Sequence, residues 1–262
     1  MAVPSKIKNN EDVLFLDFKK KLQKYLNSYQ IKKIEKAFKV AKKAHSGQKR
    51  KSGENYITHP LDAAIYLADY SLDHETIMAA ILHDVIEDTQ ISLEDLGKDF
   101  GKTVAELVDG VSKLDKINFH SKEEADAANL QKMILAMSND IRVLLIKLAD
   151  RRHNLTTINV LDKNKAKRIA KETLEIYAPL ALRLGIHNLS KELENLSFKT
   201  YHPIRQKILE EHIDKARGNR KFLMNKIQAE VIKKLDSESI KSQTKAREKH
   251  AYGIYKKMKA KE

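Results

Sequence analysis

The chain has 262 residues, 42% hydrophobic and 33% charged with a net charge of +14, which is enough for one large or two small domains around an apolar core. No apolar stretch approaches a membrane span, since even Ile141 to Ala149 is interrupted by Arg142 and Lys147, and the opening Met1-Ala2-Val3-Pro4-Ser5-Lys6 lacks an apolar signal region; the expected compartment is cytoplasmic. The absence of cysteine excludes disulfides, thiolate catalysis and cysteine-ligated zinc, leaving His, Asp and Glu as metal ligands.

In chain order the periodicity is helical almost throughout. Phe15, Phe18, Leu22 and Leu26 recur at helical spacing, and Ile31, Ile34, Phe38 and Ala41 do so after a break at Asn27-Ser28. Asp73 is placed to cap a helix that runs into His83-Asp84. Ser92 with Asp95, Thr103 with Glu106 and Ser121 with Glu124 resemble capping boxes, and Gly101 and Gly110 read as helix stops. There is no alternating strand series before residue 203, so the body is expected to be all-α.

The run Ile141 to Ala149 suits a buried strand or a buried helix, and the polar residues just beyond it decide for a helix. Asp150, His153, Asn154 and Thr157 then fall on one polar stripe at i, i+3, i+4 and i+7. Likewise Glu87 lies four residues after His83 and three after Asp84, which sets its carboxylate beside the pair. His83-Asp84 itself comes after Ile77, Ala80 and Ile81, near the buried side of a helix, where an ionised carboxylate is costly unless it meets a cation or a donor. A bound divalent metal would resolve that conflict.

The charge is uneven. Residues 203–262 hold 17 Lys+Arg against 8 Asp+Glu, a net of +9, which leaves +5 for the first 202. A mildly basic body suits an anionic small molecule at least as well as a polynucleotide, and nucleic acid is not the expected partner.

The words Gln48 to Pro60, His83 to Thr89, Asp109 to Leu114, Lys147 to Asn154 and Glu175 to Ala181, in this order and spacing, resemble the hydrolase half of the Rel/Spo bifunctional alarmone synthetase-hydrolases. The resemblance covers roughly residues 30–203 and implies an all-helical HD-domain phosphohydrolase fold, with a hydrolase domain at 1–202 and connecting helices plus the start of a synthetase domain at 203–262. It implies metal-dependent hydrolysis of guanosine tetra- and pentaphosphate at the 3′ position, releasing pyrophosphate and GDP or GTP.

Carried over residue by residue, the metal ligands fall on His59, His83, Asp84 and Asp150. The implied cofactor is one Mn2+, and the mixed nitrogen and oxygen set also admits Fe2+ or another divalent metal. Glu87 and Asp88 match the acidic pair that acts on the attacking water. Arg50, Lys51 and Ser52 match the nucleotide-binding word, and Asn154 and Thr157 match positions that hydrogen-bond the sugar and base.

The sequence departs from the family at Arg152, Thr156 and Leu182, where Leu, a basic residue and His are usual. None is a metal ligand. At two residues beyond Asp150, Arg152 should point away from the pocket and not replace the basic group missing at Thr156. Ala246 to Met258 is similar to the opening of the family's synthetase domain, but its later magnesium-binding Asp and catalytic Glu are not in these residues, so synthesis is not expected. The alternatives are an HD phosphohydrolase of another nucleotide and a non-catalytic, alarmone-binding regulatory module.

Overall fold

A computed structural model describes residues 11–115, 140–217, 220–244 and 250–261, which divide after Val160 into two compact units. In the first, α1 (Glu11–Leu22) and α2 (Ser28–Ala44) lead into α3 (Thr58–Ala68), α4 (His74–Leu82), the single turn α5 (Val85–Asp88), α6 (Leu93–Phe100), α7 (Lys102–Asp115) and α8 (Ile141–Thr156). The all-α expectation holds: among the described residues the sole β-type pairing is the isolated bridge between Lys49 and Asn55.

The helix starts reflect local chemistry. Asn27 and Gln30 form a reciprocal capping box on α2, Ser92 and Asp95 do so on α6, and the Asp73 carboxylate accepts from the Glu75 and Thr76 amides at the start of α4. Gly101 ends α6 with φ +96, a backbone region that favours glycine. Two starts and stops differ from the sequence expectation. Thr103 lies inside α7 rather than before it, and α7 runs straight through Gly110. The pair Ser121 and Glu124 lies outside the described residues.

α4 is the centre of this unit. From Thr76 to Leu82 every side chain is buried, because α2, α3, α7 and α8 all pack around it. A helix apolar on all faces belongs inside a core, where each large side chain contributes about 1.5–3 kcal/mol relative to exposure. The residues just after Leu82 are thereby delivered into the interior. Buried Phe15 stacks on buried Phe38, with ring centroids 4.1 Å apart, and fastens α1 to α2.

The second unit comprises α9 (Lys163–Glu172), a π-helical turn (Thr173–Tyr177), α10 (Ala178–Arg183), α11 (His187–Tyr201), α12 (Pro203–Arg217), α13 (Arg220–Ser237) and α14 (Ala251–Lys259). The π turn ends two residues before Pro179, whose ring and missing N–H disturb the i→i−4 ladder, and the Ala178 amide bonds the Thr173 carbonyl. Residues 240–244 carry neither helix nor strand. No helix among the described residues is long and apolar enough to cross a membrane.

Candidate metal centre

His59 enters from the first turn of α3, His83 and Asp84 from the break between α4 and α5, and Asp150 from the middle of α8. The break is what lets the pair act together. Adjacent residues on a continuous helix point about 100° apart. Here Leu82 ends α4, Asp84 turns to φ −90 and ψ −8, and α5 restarts at Val85. Both side chains therefore reach one cluster, a departure from the uninterrupted helix that periodicity suggests.

The ligand atoms of His59, His83 and Asp150 lie within 4.8 Å of one another, and all three residues are buried. His59 Nε2 is 3.1 Å from Asp150 Oδ1 and 3.5 Å from Asp84 Oδ2, while His83 Nε2 is 3.1 Å from Asp84 Oδ1. The Nδ1 of His83 faces the Ala80 carbonyl at 2.8 Å, so its proton belongs there, and the buried Nε2 makes no hydrogen bond. A lone pair held by the helix backbone and aimed at carboxylates is what a cation site needs. The donor set, nitrogen and oxygen without thiolate, fits a divalent metal.

Burial opposes ionisation of Asp150, yet the Lys147 ammonium beside it holds its carboxyl well below the usual range. Burial also opposes Asp84, and His83 and His59 outweigh it. At His83 burial is overcome by the carboxylates of Asp84 and Asp150, which raise its pKa; at His59 burial prevails and lowers it. His153 falls to about 3, through burial first and then the proximity of His59 and Arg50.

The remaining expected site residues divide into those tied to the cluster and those beside it. Arg50 lies on a short hairpin closed by Tyr56 N–H to the Gln48 carbonyl at 3.1 Å and Arg50 N–H to the Glu54 carbonyl at 2.9 Å, with Gly53 at φ +89 making the turn. Its guanidinium donates to Asn154 Oδ1 at 2.7 Å, and the Asn154 amide donates to Asp150 Oδ1 at 2.6 Å. Lys51 and Ser52 are exposed at the hairpin tip, and Thr157 caps the end of α8. No hydrogen bond ties those three side chains to the cluster among the described residues. Glu87 and Asp88 are exposed on α5; Ser112 of α7 donates to Glu87, and the Tyr56 hydroxyl lies 2.6 Å from Asp88 Oδ2 and 3.0 Å from Asp84 Oδ2.

Four residues here carry no role in the sequence reading: Tyr56, Ser112, Lys147 and His153. Lys147 had a legible signal, because a lysine inside an apolar run needs an anion and Asp150 stands three residues on. His153 stood on the predicted polar stripe. Tyr56 and Ser112 are brought in by tertiary packing, and spacing along one helix does not reveal them. Arg152 pairs with Asp62 at 3.2 Å and stacks over Tyr66, so it does point away from the cluster.

The HD-domain family model matches residues 37–187. Over 249 residues the chain is 53% identical to the bifunctional (p)ppGpp synthase/hydrolase SpoT of Escherichia coli strain K12, covering 95% of this chain and 36% of the relative. It is 54% identical over 223 residues to the guanosine-3′,5′-bis(diphosphate) 3′-pyrophosphohydrolase of Haemophilus influenzae, covering 85% of this chain and 33% of the relative. A solved structure described as a metazoan ortholog of SpoT that hydrolyzes ppGpp superimposes with a TM-score of 0.47 at 26% identity, covering 68% of this chain and 98% of that one. The chain thus spans about a third of the length of the curated relatives it matches. With more than half of its residues inside that family model, the chain belongs to the HD-domain family.

Proposed function

We propose that this chain is a metal-dependent phosphohydrolase that cleaves guanosine tetra- and pentaphosphate at the 3′ position, releasing pyrophosphate and GDP or GTP. The observation that carries the reading is the convergence of buried His59, His83 and Asp150, with the half-buried Asp84 carboxylate beside both imidazoles and a link through Asn154 to Arg50. The E. coli and H. influenzae relatives, named for this chemistry, support the substrate class. Residues 1–202 are the proposed hydrolase domain, and the cytoplasm its compartment.

The proposed ligand atoms are Nε2 of His59 and of His83 and carboxylate oxygens of Asp84 and Asp150, and Mn2+ is the proposed ion, with Fe2+ compatible. A divalent cation there would supply Lewis-acid polarisation of a phosphoryl oxygen and acidify water. The chain's own residues do the rest. Glu87 has one carboxylate oxygen engaged by Ser112, which leaves the other to take a proton from the attacking water. Asp88, held by Tyr56, positions that water or assists.

Arg50 offers a planar guanidinium that can stack on a base, and Lys51 a mobile charge for phosphate. Ser52, Asn154 and Thr157 offer hydrogen bonds to the sugar and base. Water adds to the phosphorus of the 3′ diphosphate, the bond to the 3′ oxygen breaks, and that oxygen leaves with a proton. The test is incubation of the purified chain with a nucleotide panel and Mn2+, assaying pyrophosphate and nucleoside products. Release from the guanosine tetraphosphate in preference to other nucleotides supports the reading; turnover of a different nucleotide alone would make it an HD phosphohydrolase of another class.

A further inference from the structure

We infer that His153 is a positioning residue for His59, accepting the His59 Nδ1 proton on its own Nδ1 and thereby fixing the tautomer and plane of a ring whose Nε2 faces Asp84 and Asp150. The inference rests on reading the cluster as a metal centre. An imidazole can bind a metal through Nε2 only if its proton sits on Nδ1, and that proton needs an acceptor. His83 has the Ala80 carbonyl at 2.8 Å. At His59 the corresponding atom is Nδ1 of a second imidazole, His153, also at 2.8 Å.

Arg50 assigns the direction of that bond. Its Nη1 lies 3.3 Å from the same Nδ1 of His153, and a guanidinium has donors but no acceptor. His153 Nδ1 therefore carries the lone pair and its ring proton is on Nε2. The His59 nitrogen facing it must then be the donor, which leaves His59 Nε2 with a lone pair 3.1 Å from Asp150 Oδ1. Two electron-rich atoms at that separation repel each other unless a proton or a cation lies between them.

The fold gives His153 little freedom. It is 7% exposed in the last part of α8, three residues after Asp150, with its ring tilted 51° to that of His59 at a centroid distance of 4.8 Å. One helix thus supplies both a cluster carboxylate and the acceptor that orients a histidine from α3. Arg50 has its shorter bond with Asn154, at 2.7 Å, so the His59 proton is the principal claimant on the His153 lone pair.

Two measurements test this. In metal-free, 15N-histidine-labelled protein at neutral pH, His153 should be protonated on Nε2 and bare on Nδ1, and the reverse tautomer would overturn the inference. Mn2+ binding by titration should weaken about 10–100-fold in His153→Phe, which keeps a ring and deletes the acceptor. His153→Asn, which returns an acceptor near the Nδ1 position, should restore most of the affinity. Wild-type affinity in a folded His153→Phe would refute the role; if that variant fails to fold, the tautomer decides. Wild type that binds Mn2+ with this dependence yet releases no pyrophosphate would sink the proposed substrate and leave His153 in place, whereas wild type that binds no divalent metal would sink both.

Discussion

Lys147 Nζ lies 2.6 Å from Asp150 Oδ2, and both side chains are 5% exposed. The ammonium occupies one carboxylate oxygen while Oδ1 faces His59 and Asn154, so the cluster carboxylate is oriented from behind by a cation on its own helix. Removing one partner of a buried pair typically costs about 3–5 kcal/mol, because the other charge is left without compensation. Lys147→Met should therefore lower the unfolding free energy of the metal-free protein by an amount near the low end of that range, since His83 still faces Asp150. Saturating Mn2+ should recover part of the loss. Thermal unfolding with and without the metal reads both; a variant as stable as wild type without metal would remove Lys147 from this role.

The depressed pKa of His153 makes a pH prediction with a definite sign. Its usual value is 6.5 and its folded value about 3, so between these limits the unfolded chain binds a proton that the folded chain does not. This contribution to stability is fully present above pH 6.5 and is lost as pH falls, at up to about 1.4 kcal/mol per pH unit. His153→Asn has no such titration. Denaturant midpoints of metal-free protein between pH 7 and about 4 should fall less steeply for the variant. Parallel slopes would contradict the assignment.

Ligand and base separate by substitution. Asp84→Ala should lose metal retention and turnover together, because one of the four proposed ligands is gone. Glu87→Gln should keep its metal while the rate falls about 10²–10⁴-fold, since the amide preserves shape but takes no proton. Metal content by elemental analysis alongside pyrophosphate release distinguishes them. An unchanged rate in Glu87→Gln would move the base to Asp88.

Gly110 is a packing residue. A Cβ there would stand 2.7 Å from Cγ2 of Val143, so α7 and α8 approach through the missing side chain. Gly110→Ala gains about 1 kcal/mol of helix propensity, but overpacking a core contact costs about 1–3 kcal/mol. Net destabilisation is expected, and Gly110→Ala with Val143→Ala should relieve the clash. Chemical denaturation of the single and double variants measures the coupling.

Chain truncation after residue 202 should leave hydrolysis intact and reduce stability. His250 meets Glu194 at 2.8 Å, and Tyr252 and Tyr255 pack 5.3 and 5.1 Å from the ring of Phe198, which is 0% exposed. Uncovering Phe198 costs about 1.5–3 kcal/mol. A folded truncation with its metal but no turnover would refute tail independence.

Much of this architecture could be read along the chain because it is local. Caps at Asp73 and Ser92 and the helical stripe Asp150, His153 and Asn154 come from spacing alone. The features that spacing missed are tertiary. Gly110 looks like a stop until Val143 of another helix is placed against it, and His83-Asp84 looks helical until the fold requires two adjacent side chains to face one point. Tyr56 reaches Asp84 and Asp88 from a hairpin 28 and 32 residues away, a distance at which no helical period operates.

The most direct measurement is pyrophosphate release from guanosine tetraphosphate by the purified wild-type chain, with Mn2+ present and after chelation. A metal-dependent 3′-hydrolase should yield pyrophosphate and GDP in equal amounts with Mn2+, and lose both on chelation with recovery when the metal is returned. Folded protein that binds Mn2+ and releases neither product from this substrate would contradict it.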